Sequence, residues 1–237
     1  MTDNQNNLFV TEVGSRMWGM EQYASDYDLF HCYQQPAREY LRTSVFEKTR
    51  PAKMFKADAD YALSSHHFDI PLGAEIDAQY MEIGHLINLL KKGNINAIWA
   101  VCSRVVRQES PTRMHLREIT LNNISRASYA SIKGMAMSEL SDSAKRKDVR
   151  DPQKSLATCV RTLRFGHTLL TGGGIYFSPV TQEVTEADCR HEFKRLDIAY
   201  ESKKIKDVPD PKPFDDFLFK IRMREITDNH IEMLVKL

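Results

Sequence analysis

The start of the chain combines a β-prone segment, a glycine-serine turn and a second β-prone segment that opens with two acidic residues. Residues 8–13 are β-prone and end at Gly14-Ser15. A second run covers residues 26–33 and stops before a proline. Asp26 and Asp28 are two residues apart, so both carboxylates leave the same face of this predicted strand. The pattern therefore predicts a strand end that carries two close negative charges.

Two carboxylates on one strand face have a geometry that suits a shared divalent metal ion. Mg²⁺ is commonly held by one or two carboxylates together with substrate phosphates. Taken alone, an acidic pair is more often a solvated surface feature. Here Gly14-Ser15 lies where the first strand gives way to a predicted helix of residues 16–23, and free backbone N–H groups and a hydroxyl at such a point can bind a polyphosphate. We therefore predict a site for Mg²⁺ (or Mn²⁺) beside a phosphate-binding turn.

These residues also resemble a known family signature. The strings Gly14-Ser15-Arg16-Met17-Trp18-Gly19 and Ser25-Asp26-Tyr27-Asp28-Leu29 are similar to the DNA polymerase β superfamily of nucleotidyltransferases, and most of all to its branch found near RNA-repair genes. The resemblance is specific over residues 12–29 and looser afterwards. It implies two metal ions and transfer of a nucleoside monophosphate from an NTP to a hydroxyl, with pyrophosphate released. It further implies that an RNA end is the acceptor.

The resemblance implies a third carboxylate from a neighbouring strand. Asp77, which precedes a predicted helix of residues 78–92, is the preferred residue for this catalytic and metal-binding role beside Asp26 and Asp28. Glu75 has the same side-chain parity and stays the second choice. The alternative for both is a helix N-terminus, where the helix dipole favours acidic residues.

Basic residues in the second half complete the predicted nucleotide site. Lys154, Thr158 and Arg161 are spaced by four and three residues in the clearest predicted helix, residues 154–171, and so share one helix face. The predicted nucleotide-binding residues are Gly14, Ser15, Arg16, Lys154 and Arg161. A solvated helix face is the alternative explanation of this spacing.

Two positions depart from the pattern of the family. Related sequences usually carry an arginine at the position of Phe30 and a lysine near His85. The predicted metal ligands are unaffected by these changes. The two changes bear instead on substrate preference: this chain can prefer another nucleotide or another acceptor than the rest of the branch does.

The overall charge gives no support for nucleic-acid binding. The 237 residues contain 33 Lys and Arg against 32 Asp and Glu, a formal net charge of +1. An RNA site therefore has to be a local patch, and the candidate is Lys145, Arg146, Lys147 and Arg150 next to Lys154. A solvated loop is the alternative for that patch.

The cysteines and the hydropathy indicate the cellular compartment in which the protein is expected. Cys32, Cys102, Cys159 and Cys189 are far apart and form no CxxC pair, which predicts reduced thiols in a cytoplasmic protein. The most apolar stretch, residues 95–102, is much shorter than the roughly 20 residues that span a bilayer. We therefore expect no membrane segment.

The predicted fold class is α+β. Strands concentrate in the first hundred residues and helices follow, which predicts a small nucleotidyltransferase-type mixed sheet with flanking helices and a mostly helical C-terminal domain. We place a catalytic domain at residues 1–110 and a helical substrate-binding domain at residues 111–237. Further predicted elements are a strand within 61–76, helices at 37–45, 115–140, 185–203 and from 214 onward, a loop at 141–153 and a stiff connector at 208–213.

Two other functions stay open at the level of sequence. One is a nucleotidyltransferase that modifies a protein or a small molecule, because fold and metal site do not fix the acceptor. The other is a catalytically silent nucleotide-binding or RNA-binding module. Intact Asp26, Asp28 and Ser15 favour an enzyme, because a decayed site is expected to lose a ligand.

Overall fold

The computed structural model describes residues 7–21, 25–36, 49–63, 69–145, 151–202 and 205–235. The strands are β1 (Asn7–Glu12), β2 (Tyr27–Tyr33), β3 (Thr49–Lys56), β4 (Glu75–Glu82) and β5 (Val106–Gln108). The helices are α1 (Gly14–Met17), α2 (Ala59–Leu63), α3 (Ile83–Lys91), α4 (Ile95–Cys102), α5 (Pro111–Leu121), α6 (Arg126–Lys145), α7 (Pro152–Thr171), α8 (Glu186–Ser202) and α9 (Pro211–Val235). The predicted α+β class is confirmed. Across the described ranges, each helix is too short or too polar to cross a bilayer.

The five strands form one mixed sheet in the order β3-β4-β2-β1-β5. Strands β2 and β4 are parallel, and the other neighbouring pairs are antiparallel. The β2–β4 register pairs Asp28 with Asp77 and continues to Tyr33 with Glu82. This register brings residues that are 49 positions apart in the sequence onto adjacent strands.

The two faces of the sheet pack against different groups of residues. Phe30 and Cys32, on the same face of β2 as Asp28, join a large core that extends through the helices to Phe217. Tyr27 and Leu29 face a smaller cluster on the other side. The large core therefore includes residues from both predicted domains, and their division at residue 110 stays a prediction.

The predicted helix over residues 78–92 starts too early. Residues 78–82 belong to strand β4, whose side chains alternate between buried and more exposed along its whole length. Helix formers such as Ala78, Met81 and Glu82 favour a helix locally, but β4 pairs with β2 on one side and β3 on the other. The helix begins at Ile83, because the carboxylate of Glu82 accepts hydrogen bonds from the Gly84 and His85 N–H groups at 2.6 and 3.2 Å.

The predicted helix over residues 115–140 is two helices, α5 and α6. Asn123 lies in the break and bonds two segments: its amide Nδ2 donates to the Ile119 carbonyl at 2.9 Å, and its Oδ1 accepts the Asp210 N–H at 3.1 Å. These bonds hold the break against the segment that precedes α9. Asparagine is disfavoured inside helices because its side chain forms such local hydrogen bonds with the backbone instead.

The predicted loop at residues 141–153 is wrong at both of its ends. Helix α6 continues to Lys145, and α7 already begins at Pro152. Asp151 is the N-cap of α7 and accepts the Gln153 N–H at 2.9 Å, while proline is well suited to the first helical position. Residues 146–150 lie outside the described residues.

Several smaller differences concern the first half. The predicted helix of residues 16–23 is reduced to α1, and the predicted helix at 37–45 lies outside the described residues. The region predicted to hold a strand, residues 61–76, contains the first residues of β4, and its residues 64–68 lie outside the described residues. Strands β3 and β5 were not predicted: β3 contains Pro51, where its register with β4 shifts, and β5 has only three residues.

The helices of the second half follow the prediction more closely. Helix α7 ends at Gly172, which has a φ of 80°, the left-handed conformation that glycine adopts without strain. Thr185 caps α8 through a reciprocal pair of bonds with Asp188, at 2.8 and 3.3 Å. Helix α9 begins at Pro211, inside the predicted connector at residues 208–213.

Candidate active site

Three aspartates lie at one end of the parallel strand pair, and we call Asp26, Asp28 and Asp77 the acid edge. Asp26 immediately precedes β2 and is exposed, whereas Asp28 is partly buried. Asp77 lies on β4 directly opposite Asp28. Glu75 is exposed and pairs with Lys56 on the outer strand β3. The register thus places Asp77, and not Glu75, beside Asp28.

The carboxylates of the acid edge act on one another electrostatically. Burial, and after it the negative charges of Asp26 and Asp77, raise the pKa of Asp28 to about 6, while Lys154 opposes the shift. Within the part of the chain that the structure describes, Oδ1 of Asp77 is buried without a hydrogen-bond partner. A buried acceptor without a partner is costly unless something supplies the missing contact.

These observations test whether the acid edge suits a metal ion. Among residues 7–235 outside the gaps, no three His, Cys, Asp or Glu side chains already stand close enough to enclose an ion. Like charges hold carboxylates apart when no cation is between them. A hard cation such as Mg²⁺ takes carboxylate oxygens, and it would give the Asp77 oxygen its missing partner. The donor set therefore fits a divalent cation once side-chain rotations bring the carboxylates around it.

The Gly14-Ser15 turn lies against the acid edge. Gly14 has a φ of 63°, and a Cβ atom placed there would overlap Oδ2 of Asp28. The Val13 N–H also donates to the Asp28 carbonyl at 2.9 Å. Glycine at position 14 is therefore required by its own conformation and by the aspartate, whatever binds in front of the turn.

Arg16 holds the segment that carries Asp26. Its guanidinium donates to the carbonyls of Asp26 and Ser25, at 3.4 and 3.3 Å, and lies 3.6 Å from the centre of the Tyr27 ring. It is also 3.9 Å from the carboxylate of Glu12. Arg16 is absent from the lining of the cleft described below. Direct contact between Arg16 and nucleotide stays a prediction.

A buried ion pair that the sequence did not predict supports the first strand. Glu12 is fully buried, and burial raises the pKa of its carboxyl while Arg107 lowers it. Arg107 on β5 pairs with both Glu12 and Asp69. The charge of Glu12 also contributes to the raised pKa of Asp28. Nothing in the local sequence pattern links Glu12 to Arg107, because the contact depends on the pairing of β1 with β5.

A cleft of about 780 Å³ separates the sheet end from helix α7. Gly14, Ser15, Asp26 and Asp28 line one side, and Lys154, Thr158 and Arg161 line the other. The fold thus brings together most of the residues predicted for nucleotide binding, from segments more than 120 positions apart. Asp77 pairs with Asp28 on the adjacent strand and is not part of the cleft lining.

The α7 side of the cleft is pre-ordered by short contacts. Arg161 donates to the Thr158 hydroxyl at 2.7 Å, lies 3.0 Å from the Met20 sulfur and is 5.4 Å from the Trp18 ring centre. Thr158 in turn donates to the Lys154 carbonyl at 2.8 Å. The guanidinium of Arg161 is therefore held at a defined place in the cleft.

Several cleft residues were not predicted as site residues from the sequence. They are Met17, Trp18, Met20, Trp99, Met135, Glu139, Gln153 and the segment 180–183. The amide of Gln153 exchanges two hydrogen bonds with the backbone of Val184, both at 3.1 Å, and so holds that segment at the rim. Trp18 meets Trp99 edge to face at 5.4 Å and forms the apolar floor. Trp18 lies within the family signature, and that signature is the sequence feature by which it could have been identified.

The two positions that depart from the family pattern are both accommodated. Phe30 is 4% exposed, with its ring centre 6.3 Å from that of Phe9. An arginine at this position would need a partner for a buried charge. His85 is half-buried in the first turn of α3.

Of the predicted basic patch, Lys145 is exposed at the end of α6, while residues 146, 147 and 150 lie outside the described residues.

Comparison with known proteins gives a family for this arrangement. The family model described as RNA repair pathway DNA polymerase beta family matches residues 2–218. A solved nucleotidyltransferase-like protein from Exiguobacterium sibiricum 255-15 is similar with 11% identity, covering 94% of this chain and 75% of that chain, at a TM-score of 0.33. That structural similarity is too weak to support an argument, and no curated protein matches the chain significantly. Because the family model spans most of the sequence, the chain belongs to the RNA repair pathway DNA polymerase beta family.

Proposed function

We propose that this protein is a metal-dependent nucleotidyltransferase that moves a nucleoside monophosphate from an NTP to the hydroxyl of an RNA end. The observation that carries the proposal is that Asp28, which pairs with Asp77 on the adjacent strand, faces Lys154 and Arg161 across one cleft. A negative edge facing a positive wall suits a substrate made of phosphate and metal. Membership of the RNA repair family supports the RNA end as acceptor.

Asp26, Asp28 and Asp77 are the residues that would hold Mg²⁺ or Mn²⁺. When bound, such ions offset the charge of the triphosphate and lower the pKa of the acceptor hydroxyl. The raised pKa of Asp28 means that this carboxylate is mostly ionised only above about pH 6. Metal binding and proton release at Asp28 are therefore coupled.

The cleft residues orient the nucleotide. Ser15 offers a hydroxyl next to Asp28, and Lys154 and Arg161 offer cationic donors from α7. Because Arg161 is already held by Thr158, little conformational freedom is lost when it meets a phosphate. Trp18 and Trp99 supply an apolar surface that excludes water from that side of the cleft.

Asp77 has a second role open to it. Its buried Oδ1 has no partner among the described residues, so it would take the proton of the acceptor hydroxyl once its side chain has rotated toward the cleft, whose lining it does not join in this structure. The remaining work is positioning: the acceptor oxygen, the α-phosphate and the leaving pyrophosphate have to lie in line. A cleft with the acid edge on one side and the held Arg161 on the other would favour that alignment.

Label transfer tests the proposal. The protein is incubated with each NTP labelled at the α-phosphate, with Mg²⁺ or Mn²⁺, and with RNA that ends in a free hydroxyl. RNA with a 3′-phosphate and a reaction in EDTA are the controls, and Asp26→Asn, Asp28→Asn is the matched double variant. We expect label on the free RNA end, none in either control and none with the double variant.

The same experiment separates the alternatives. Label on protein or on a small molecule, with RNA unlabelled, would replace the RNA acceptor by another one. Transfer by the double variant at the rate of the unmodified protein would contradict the metal-binding role of the acid edge.

A further inference from the structure

A second cleft lies beside the candidate active site. It has a volume of about 940 Å³ and is formed by residues 102–106, the start of α5 and the extended segment 175–177. Its described lining contains no aspartate, so it offers no counterpart of the acid edge. Three arginines line it against two glutamates.

Two of these arginines are open to a ligand. Arg113 is buried and committed, because it donates to the Glu109 carboxylate and to the Ser103 carbonyl, both at 2.6 Å. Arg104 and Arg117 are exposed, and neither forms a hydrogen bond or an ion pair with the described residues. Guanidinium groups of this kind bind phosphate through paired N–H donors.

An aromatic ring stands in the same cleft. Tyr176 is 57% exposed on the extended segment, although its neighbour Phe177 is buried in the core. Met114 on α5 is 61% exposed and lines the cleft with it. Proteins that bind single-stranded nucleic acid combine cationic side chains for the backbone with exposed aromatic rings on which bases stack. The cleft has both.

The second cleft adjoins the candidate active site across a thin wall. The guanidinium of Arg104 lies against the backbone of Gly19, where a Cβ atom would overlap it. Trp18 and Met20, on either side of that glycine, line the cleft of the acid edge. The segment 175–183 also runs from one cleft to the other, with residues 175–177 in the second and 180–183 in the first.

We propose that the second cleft binds a single-stranded stretch of RNA next to the end that reacts. The inference rests on the proposed function, since it supplies the strand whose end reaches the acid edge. Arg104 and Arg117 contact phosphates, and Tyr176 stacks on a base. None of the residues that line this cleft belongs to the basic patch predicted from the sequence.

Anisotropy of a short fluorescein-labelled single-stranded RNA tests the inference without NTP or metal. Arg104→Glu, Arg117→Glu is compared with Lys194→Glu, an exposed cation on α8 that lines neither cleft. We expect the double variant to bind at least about tenfold more weakly and its salt slope to fall by about 1.4, that is about 0.7 for each of two phosphates. Lys194→Glu should leave the affinity within about twofold, as expected for a surface cation away from the site.

The aromatic contact has its own pair of variants. Tyr176→Ala should weaken RNA binding about tenfold, while Tyr176→Phe, which keeps the ring, should bind as the unmodified protein does. RNA affinity and salt slope unchanged in the arginine double variant would overturn the inference, and so would unmodified protein that does not bind the RNA. Calorimetry with Mg²⁺ and a non-hydrolysable NTP separates this result from the proposed function: the second-cleft variants should keep nucleotide affinity. Weaker RNA binding in a protein that transfers no nucleotide would support the second cleft and contradict the transferase.

Discussion

The two sides of the active-site cleft are built in opposite ways. At the acid edge, like charges face one another on adjacent strands, the pKa of Asp28 is raised to about 6, and a buried Asp77 oxygen has no partner among the described residues. On α7, Thr158 and Arg161 already bond to each other, and the opposite face of the helix is buried in the core. The acid edge therefore carries a cost in charge repulsion that a bound cation would relieve. The α7 side is held by its own contacts without a ligand.

Removing an acid-edge carboxylate should have the largest effect. We expect Asp28→Asn and Asp77→Asn each to lower nucleotide transfer by roughly 10³-fold, because a lost metal ligand costs several kcal/mol in the transition state. Glu75→Gln is the matched control, since Glu75 lies on the same strand but pairs with the outer strand, and it should keep activity within about threefold. Initial rates of label transfer measure all three.

That prediction also decides which residue is the third carboxylate. A large loss in Glu75→Gln with an active Asp77→Asn would reverse the assignment that the strand register favours.

Asp28→Asn, which should lower activity, should raise the stability of the metal-free protein. The pKa of Asp28 is raised from 3.8 to about 6 in the folded state, so the folded protein binds this proton more tightly than the unfolded chain does. The contribution of Asp28 to stability therefore falls as the pH rises through this window. Without metal, Asp28→Asn should raise the free energy of unfolding at pH 7 by about 1–3 kcal/mol and give no gain below about pH 4.

Urea denaturation in EDTA at several pH values measures this difference. A loss of stability at pH 7 in Asp28→Asn would mean that the acid edge is an ordinary part of the core, and the contrast between the two sides would fail.

A substitution on the α7 side should have a smaller effect, and that effect should be on ligand binding and not on stability. Lys154 opposes the raised pKa of Asp28 and lines the cleft, so Lys154→Gln should weaken NTP binding about tenfold through the loss of one charge-assisted bond. It should also shift the rising limb of the pH profile upward. Lys194→Gln is the control, and calorimetry with a non-hydrolysable NTP is the measurement. Equal affinity in both variants would remove Lys154 from the nucleotide site.

The smallest effect concerns packing behind α7. A Cβ atom at Gly166 would lie 2.7 Å from the Ile132 side chain and 2.9 Å from that of Leu196. Overpacking costs about 1–3 kcal/mol, which outweighs the roughly 1 kcal/mol that alanine contributes in a helix. Gly166→Ala should therefore lower the free energy of unfolding by about 1 kcal/mol. Gly134→Ala on α6, which meets nothing within 4 Å, should raise it. Chemical denaturation compares them, and a stabilised Gly166→Ala would show that the helix contact is loose.

The same contrast explains what the sequence could predict. Helix α7 and its cap at Gly172 follow from local periodicity and from glycine at the helix end, so their limits were predicted to within two residues. Asp26 and Asp28 were identified by a two-residue spacing within a strand. These features depend on neighbours in the sequence.

Features that depend on distant pairing were missed or placed wrongly. Residues 78–82 have helix propensity but form β4, because strands on both sides pair with them. The Glu12–Arg107 ion pair and the Gln153–Val184 clamp join segments that no local pattern connects. Asp77 was chosen by resemblance, and its place opposite Asp28 depends on the β2–β4 register.

Binding of Mn²⁺ tests the central claim most directly, because the free ion has an electron paramagnetic resonance signal that disappears on binding. The protein is titrated with Mn²⁺ in the presence of a non-hydrolysable NTP, and Asp26→Asn, Asp28→Asn is titrated alongside. The account predicts tight Mn²⁺ binding by the unmodified protein beyond that of the NTP alone, and loss of that binding in the double variant. Equal Mn²⁺ binding by the two proteins would contradict the acid edge as the metal site.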